Sequence, residues 1–239
     1  MRSTCRRSSR SESGRIGTIL IAFVVLVVAA GGAAYWFLIR EDAKPKPKLA
    51  NTKVVAGGTL DGSWKISTTN ADATFVQYRI GETLASGLVD NTATGKSTEV
   101  TGSLTINGTE VSDISVTANM AALKSDKSFR DTALQSRGLE TDTFKDATFA
   151  ATKPVTLATA PAKGATVSVD VTGDLTLHGV TKSVTIPLQG RWDGKQVQVI
   201  GELDIVLADY GITAPSGGQI ARIDDSGTLE LQLTFDKAS

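Results

Sequence analysis

Gly173-Asp174-Leu175-Thr176-Leu177-His178-Gly179-Val180-Thr181-Lys182-Ser183-Val184-Thr185-Ile186-Pro187 is the stretch from which the rest of the chain is read. Apolar and polar residues alternate on both sides of His178-Gly179, and a period of two belongs to half-buried strands. Leu175 and Leu177 fall on one face, and after the chain reverses Val184, Ile186 and Leu188 return to it. Two alternating strands joined by a short turn are the reading, and the turn holds the only histidine in the protein.

The alternation continues outward in both directions. Ile114, Val116, Ala118 and Met120 share a face, as do Val167, Val169 and Val171. So do Val197, Val199, Leu203, Ile205 and Leu207, and later Leu229, Leu231, Leu233 and Phe235. Thr and Ser fill many intervening positions, which suits the solvated face of an antiparallel sheet. Asn107-Gly108, between Leu104-Thr105-Ile106 and Val111, is a two-residue hairpin signal; with Thr109 it also matches a glycosylation sequon, but a tight turn accounts for it. Arg222-Ile223-Asp224-Asp225-Ser226-Gly227 reads as another hairpin turn. One stretch departs from the pattern. Residues 125–138 open on the capping residue Ser125, close on Gly138 and set Phe129, Ala133 and Leu134 at helical spacing, which predicts a short helix over one opening or edge of the sheet. Residues 60–237 thus form one all-β domain, an antiparallel barrel or sandwich with one short helix, and roughly 180 residues is ample for a single core.

The N-terminal part has a different character. Ile16 to Ile39 is a run of 24 residues without a charged side chain. As a helix it would extend roughly 36 Å, enough to cross a hydrocarbon core of roughly 30 Å with some tilt. Tyr35 and Trp36 lie near its far end, where amphipathic rings favour the membrane interface. Arg2, Arg6, Arg7, Arg10 and Arg15 precede it against the single acid Glu12, so the positive-inside rule puts residues 1–15 in the cytoplasm as a basic tail. Residues 16–39 then form a single-pass transmembrane anchor at the cell membrane, and the C-terminal domain is extracytoplasmic. The rival is a cleaved signal peptide, for which Ala29-Ala30-Gly31-Gly32-Ala33-Ala34 offers small residues; the apolar run continues past them through Ile39. Residues 40–59 read as a linker, with Lys44-Pro45-Lys46-Pro47-Lys48 favouring an extended, self-repelling spacer that holds the domain off the bilayer.

Charge follows the same division. Residues 1–59 carry ten Lys/Arg against three Asp/Glu, and residues 60–239 carry fifteen against twenty-two. An acidic outer domain repels nucleic acid and anionic surfaces, so no nucleic-acid partner is expected. Cys5 is the only cysteine, which leaves the exported part without disulfides or thiolate ligands. With one histidine and scattered carboxylates, no metal site, catalytic residue or cofactor is assigned. There is no G-x-S-x-G elbow and no phosphate-binding loop; a paired-carboxylate hydrolase is the weakest of the readings left. His178 beside Gly179 reads as a structural turn residue. What remains is the inside of a closed sheet, whose Val, Leu and Ile side chains either pack solid or leave a narrow apolar channel.

Several segments from Trp64 to Phe235 resemble the YceI-like family. These are Trp64-Lys65-Ile66, Ala73-Thr74-Phe75-Val76-Gln77-Tyr78-Arg79, Val100-Thr101-Gly102-Ser103-Leu104-Thr105-Ile106, Arg130-Asp131-Thr132-Ala133-Leu134 and Gly138-Leu139-Glu140-Thr141. Asp146-Ala147-Thr148-Phe149 is similar to a family strand start in which proline usually takes the place of Asp146, and the hairpin around His178 is the most specific match. Ala208-Asp209-Tyr210-Gly211-Ile212 with Ala214-Pro215-Ser216 looks like the membrane-anchored actinobacterial version. The resemblance implies a lipocalin-like antiparallel barrel, non-enzymatic, that binds or carries a polyisoprenoid lipid such as a prenyl pyrophosphate or a quinone tail. In such a lumen Phe75, Leu104, Val116, Leu175, Leu177, Ile186, Leu203, Ile205, Leu231 and Leu233 are the lining candidates. Burying an isoprene unit of five carbons gains up to roughly 4 kcal/mol before ordering costs, so a few units bind without a strong polar contact. The alternative is a membrane-tethered structural or protein-interaction β-domain with a side-chain-filled core.

Overall fold

The computed structural model describes residues 43–51, 53–69, 73–84 and 90–238. The basic tail and the apolar run over 16–39 lie outside the described residues, among which no helix is long and apolar enough to cross a membrane. The strands are β1 (Gly62–Ile66), β2 (Phe75–Leu84), β3 (Asp90–Ser97), β4 (Val100–Asn107), β5 (Glu110–Asn119), β6 (Asp146–Ala151), β7 (Val155–Thr156), β8 (Thr166–Leu177), β9 (Val180–Trp192), β10 (Gln196–Val206) and β11 (Ile220–Lys237). Every pairing between them is antiparallel. Eight of them close a ring in the order β1-β4-β5-β6-β8-β9-β10-β11, with Trp64↔Lys237 and Ile66↔Phe235 joining the first strand to the last. The β2–β3 hairpin branches from the earlier part of β11, and β7 adds to β5.

Local chemistry explains the turns. Leu177↔Val180 closes the β8–β9 hairpin around His178 (φ 51°) and Gly179 (φ 73°). Two successive positive φ values are those of a type I′ turn, whose twist matches that of the flanking strands. The β4–β5 hairpin forms where the sequence predicts one, but its turn lies one residue later: Asn107 pairs with Glu110, and Gly108 (φ 60°) and Thr109 make the turn. Gly108 alone takes the left-handed conformation, the pattern of a type II′ turn.

The Asp224-Asp225 region corrects a second expectation. It is a bulge inside β11, not a hairpin turn. Pairing with β10 runs unbroken through Val206↔Ser226 and Leu203↔Leu229, while pairing with β2 jumps from Ile223↔Glu82 to Gly227↔Ile80. Three residues therefore face the single position Gly81, where a Cβ would collide with the Asp224 carboxylate. Bulges of this kind bend a strand and increase its twist, which helps one strand serve several neighbours.

The helix falls over the predicted stretch as α1 (Ser128–Ala133), continued by a π-helical turn over Leu134–Gly138. Its N-cap is Lys127, without a side-chain cap of its own. Ser125 acts two residues earlier: its hydroxyl accepts from the Lys127 N–H (3.2 Å) and donates to Asp131 (2.6 Å).

Residues 43–51 correct the reading of the linker as a spacer. The compact unit begins at Ala43, and these residues cross the outside of five adjacent strands. Lys44 N–H donates to Thr94 on β3 (3.4 Å), and its carbonyl accepts from Arg79 on β2 (2.6 Å). Lys48 N–H donates to Gln232 on β11 (3.1 Å), and Ala50 N–H to Gln198 on β10 (3.0 Å). The Ala50 carbonyl accepts from Arg191 on β9 (3.1 Å). Pro47 is buried, and Lys46 pairs with Glu202 (2.7 Å). Beneath this belt lies a fully buried carboxylate, Glu230, held by Gln77 and by Arg79 Nε at 2.7 Å. The Pro/Lys composition gives an extended segment, and outward-facing Gln and Arg side chains tie it to the wall.

Candidate functional site

The inward rows of the ring enclose a cavity of about 280 Å³ that runs from α1 at one end to Trp192 and Phe235 at the other. Well-packed interiors hold few voids larger than a water molecule, so a space of this size is a built feature. It lies just below the roughly 300–1,000 Å³ usual for small-molecule sites. Leu104 and Val116 line it from β4 and β5, Leu175, Leu177 and Ile186 from β8 and β9, and Leu203, Ile205, Leu231 and Leu233 from β10 and β11.

Phe75 is the exception among the lining candidates. The register pairs Phe75 with Gln232 and Val76 with Leu231, so Phe75 shares the outward face with Gln77 and Arg79, where Lys96 Nζ lies 5.1 Å from its ring centroid. The inward row of β2 is Val76, Tyr78 and Ile80, which do line the cavity. The order Phe75-Val76-Gln77-Tyr78-Arg79-Ile80 carried the signal: the polar Gln77 and Arg79 share parity with Phe75. Phe149, Met120, Leu139 and Trp192, outside the set of lining candidates, also line the space. Leu139 comes from the connection after α1, which strand periodicity does not reach.

Helix α1 covers the cavity at the end where β2 finishes. Glu82, fully buried on the inward row of β2, accepts two hydrogen bonds from Arg130: one from Nε at 2.9 Å and a second from Nη2. Asp126 takes a third from the same guanidinium. Burial by itself weakens the Arg130 charge; the Glu82 and Asp126 carboxylates more than offset it and keep the group protonated. Asp131 is bonded by the Ser125 N–H (2.8 Å) and hydroxyl. Tyr78 lies under this lid, its ring across Gly95, where a Cβ would clash with it. Burial pushes its phenol up to about 12, and the Ser125 hydroxyl beside it pulls weakly the other way.

His178 sits at the same end, outside the cavity lining. Its Nδ1 is 3.1 Å from the Tyr210 carbonyl, its Nε2 is 2.9 Å from Glu140 Oε2, and Phe144 meets it edge-on with centroids 4.4 Å apart. The ring thus joins the β8–β9 turn to the two connections that follow α1 and β10. Both partners are acceptors, so a neutral imidazole donates to one of them at a time. Each contact ties two parts of the chain together, and the arrangement is a clamp. Among the described residues no three His, Cys, Asp or Glu side chains gather where a metal ion could be held.

An eight-stranded antiparallel ring around an apolar lumen, lidded by a short helix, defines a lipocalin-like barrel. The YceI-like domain profile matches residues 64–235, and the chain belongs to that family. A UPF0312 protein of Vibrio parahaemolyticus is 32% identical over 120 residues, 47% of this chain and 59% of that protein. Another from Pseudomonas syringae is 32% identical over 134 residues, 53% and 62%. The chain therefore spans about three fifths of these curated relatives. A polyisoprenoid-binding domain from Saccharophagus degradans, implicated in plant cell wall breakdown, superposes with a TM-score of 0.55 at 17% identity, covering 73% of this chain and 98% of its own. BcnA of Burkholderia cenocepacia gives 0.52 at 17% identity, with 69% and 98% covered. At this identity the likeness is one of fold.

Proposed function

We propose that this chain is a non-enzymatic binding or carrier protein for a polyisoprenoid lipid, held in the barrel lumen. The observation that carries the reading is the continuous apolar cavity through the ring. A side-chain-filled interaction module requires that volume to be occupied by the protein itself. Membership of the YceI-like family and the polyisoprenoid-binding fold neighbour support binding over catalysis. Residues 16–39 serve as an uncleaved anchor of the membrane-bound actinobacterial type, with the barrel outside the cell; the apolar run and the five leading arginines support this. The test is mass spectrometry of an organic extract of the purified protein. A co-purified polyprenyl species is the expected result, and a barrel that never yields lipid, even after incubation with isoprenoids, would refute the reading. Topology is tested separately by adding protease to intact spheroplasts. Release of a fragment starting close to Asp42 supports the anchor, and a membrane-free mature form lacking residues 1–34 favours a cleaved signal.

A further inference from the structure

Two residues with left-handed backbones hold each other at the rim of the lumen. Among the described residues other than glycine, only Asp113, Glu140 and His178 take positive φ, and the side chains of the last two meet, His178 Nε2 lying 2.9 Å from Glu140 Oε2. Histidine is tolerated in this conformation better than most residues. Glu140 is harder to account for. It stands just past the π-helical turn that ends the lid, at φ 46°, where helices commonly carry glycine because a Cβ is unfavourable there. Its carbonyl accepts from the Thr143 and Phe144 N–H groups at 2.8 and 2.9 Å, bonds that a glycine would make equally well. What a glycine could not supply is the carboxylate.

Every contact of the histidine adjoins the cavity wall. Leu177 precedes His178, Leu139 precedes Glu140 and Ile212 closely follows Tyr210, and all three line the lumen. Phe144 packs over the same turn, where a Cβ on Gly179 would collide with its ring. The number of bonds depends on charge. A neutral imidazole donates either to Glu140 or to the Tyr210 carbonyl and turns a lone pair toward the other; the imidazolium donates to both, and its bond to the carboxylate becomes charge-assisted. The titratable groups on the elements packed around it are Glu140, Asp142 and Lys145 after α1, Asp146 on β6, Lys182 on β9, and Asp209 and Tyr210 after β10. Lys182 and Asp209 pair with each other at 2.9 Å. Between about pH 5 and about pH 8 amines and carboxylates ordinarily keep their charges, whereas an imidazole changes its own. The Tyr210 phenol, raised by burial and then by Asp209, stays neutral throughout.

We propose that His178 and Glu140 form a proton-operated latch on the lid: protonation closes it, and deprotonation lets the connection after α1 move away and opens the lumen. The latch belongs to the lid whatever the lumen holds; its effect on lipid exchange rests on the lipid-binding reading above.

The test uses the full chain in detergent and two readouts. One is hydrogen exchange, corrected for the intrinsic pH dependence of amide exchange; the other is replacement of bound polyprenol by its deuterated form, followed by native mass spectrometry. In the wild type, residues 134–145 exchange and polyprenol is replaced about fivefold faster at about pH 8 than at about pH 5, the ratio that one hydrogen bond supplies. Glu140→Gly suits the backbone and deletes only the carboxylate, and His178→Asn is tolerated by the turn. At about pH 5 both exchange about fivefold faster than the wild type, and the difference between the two pH values disappears. Glu140→Gly keeps a melting temperature close to that of the wild type, because relief of the backbone offsets the lost bond. A wild type without the pH ratio, a variant that retains it, or a Glu140→Gly chain whose faster exchange spreads over the strands with a lowered melting temperature overturns the latch. If polyprenol never binds the folded wild-type chain the lipid reading fails, while hydrogen exchange still decides the latch.

Discussion

Arg79 and Glu230 show how a single side chain can hold a wall together from outside. The Glu230 carboxylate is fully buried beneath the belt, and Arg79 is its cationic partner. Removing one member of a buried pair leaves an uncompensated charge, so Arg79→Ala is expected to lose about 3–5 kcal/mol in urea denaturation. Replacing both, as Arg79→Met with Glu230→Leu, recovers most of the loss because no charge stays buried. Asp236 gives a pH-dependent case. Burial pushes its carboxyl up, but hydrogen bonds from Ser67, Gln196 and Thr69 outweigh that and hold it below the ordinary 3.8. A depressed carboxylate contributes stability at neutral pH, and the contribution disappears as pH falls from that ordinary value through the lower folded one. Asp236→Asn is therefore less stable than wild type at neutral pH, and melting curves of the two proteins converge below roughly pH 4.

The elements were legible to different degrees, for physical reasons. Strand alternation showed through because each strand has one buried and one solvated face, and a period of two is visible without any partner. The β8–β9 turn was equally plain, since His178-Gly179 interrupts an otherwise strict alternation. Its conformation makes a prediction: at φ 51°, His178→Val is strained, whereas His178→Asn tolerates the left-handed region. Both lose the clamp to Glu140, so Val is expected to cost about 1–3 kcal/mol and Asn distinctly less, measured by thermal melts. The bulge at Asp224 was not legible, because Asp-Asp-Ser-Gly suits a turn or a bulge equally and only the partner strands decide. The belt was hidden for a different reason. Its backbone bonds to side chains such as Gln198 and Gln232, which lie far along the chain, and local composition carries no record of that meeting. Phe75 was misplaced for a third reason: hydrophobicity outweighed parity, although Gln77 and Arg79 two and four residues on marked the outward face.

At the scale of the whole molecule, composition left open whether the barrel is solid or hollow, since Val, Leu and Ile serve either purpose. Only the closed ring, with its separation of rows, makes the empty volume visible. Leu203→Trp tests it. In a filled core the added bulk would overpack and cost about 1–3 kcal/mol. In the hollow barrel it is expected to occupy vacant space, displacing lipid while the melting temperature holds, a combination that calorimetry and lipid extraction together detect. The ring has one further consequence, which concerns time. Strand β11 is 18 residues long and pairs with β10, β2 and β1. Among the described strands it is the last in chain order, so during synthesis β1 and β10 wait with edges unpaired until the closing segment arrives. Pairings so distant in sequence form slowly, and unpaired edges are where chains stick to one another. The barrel should therefore remain open and dependent on chaperones until its last strand is available, and a ribosome stalled before Ile220 should present a nascent domain that proteases cut freely.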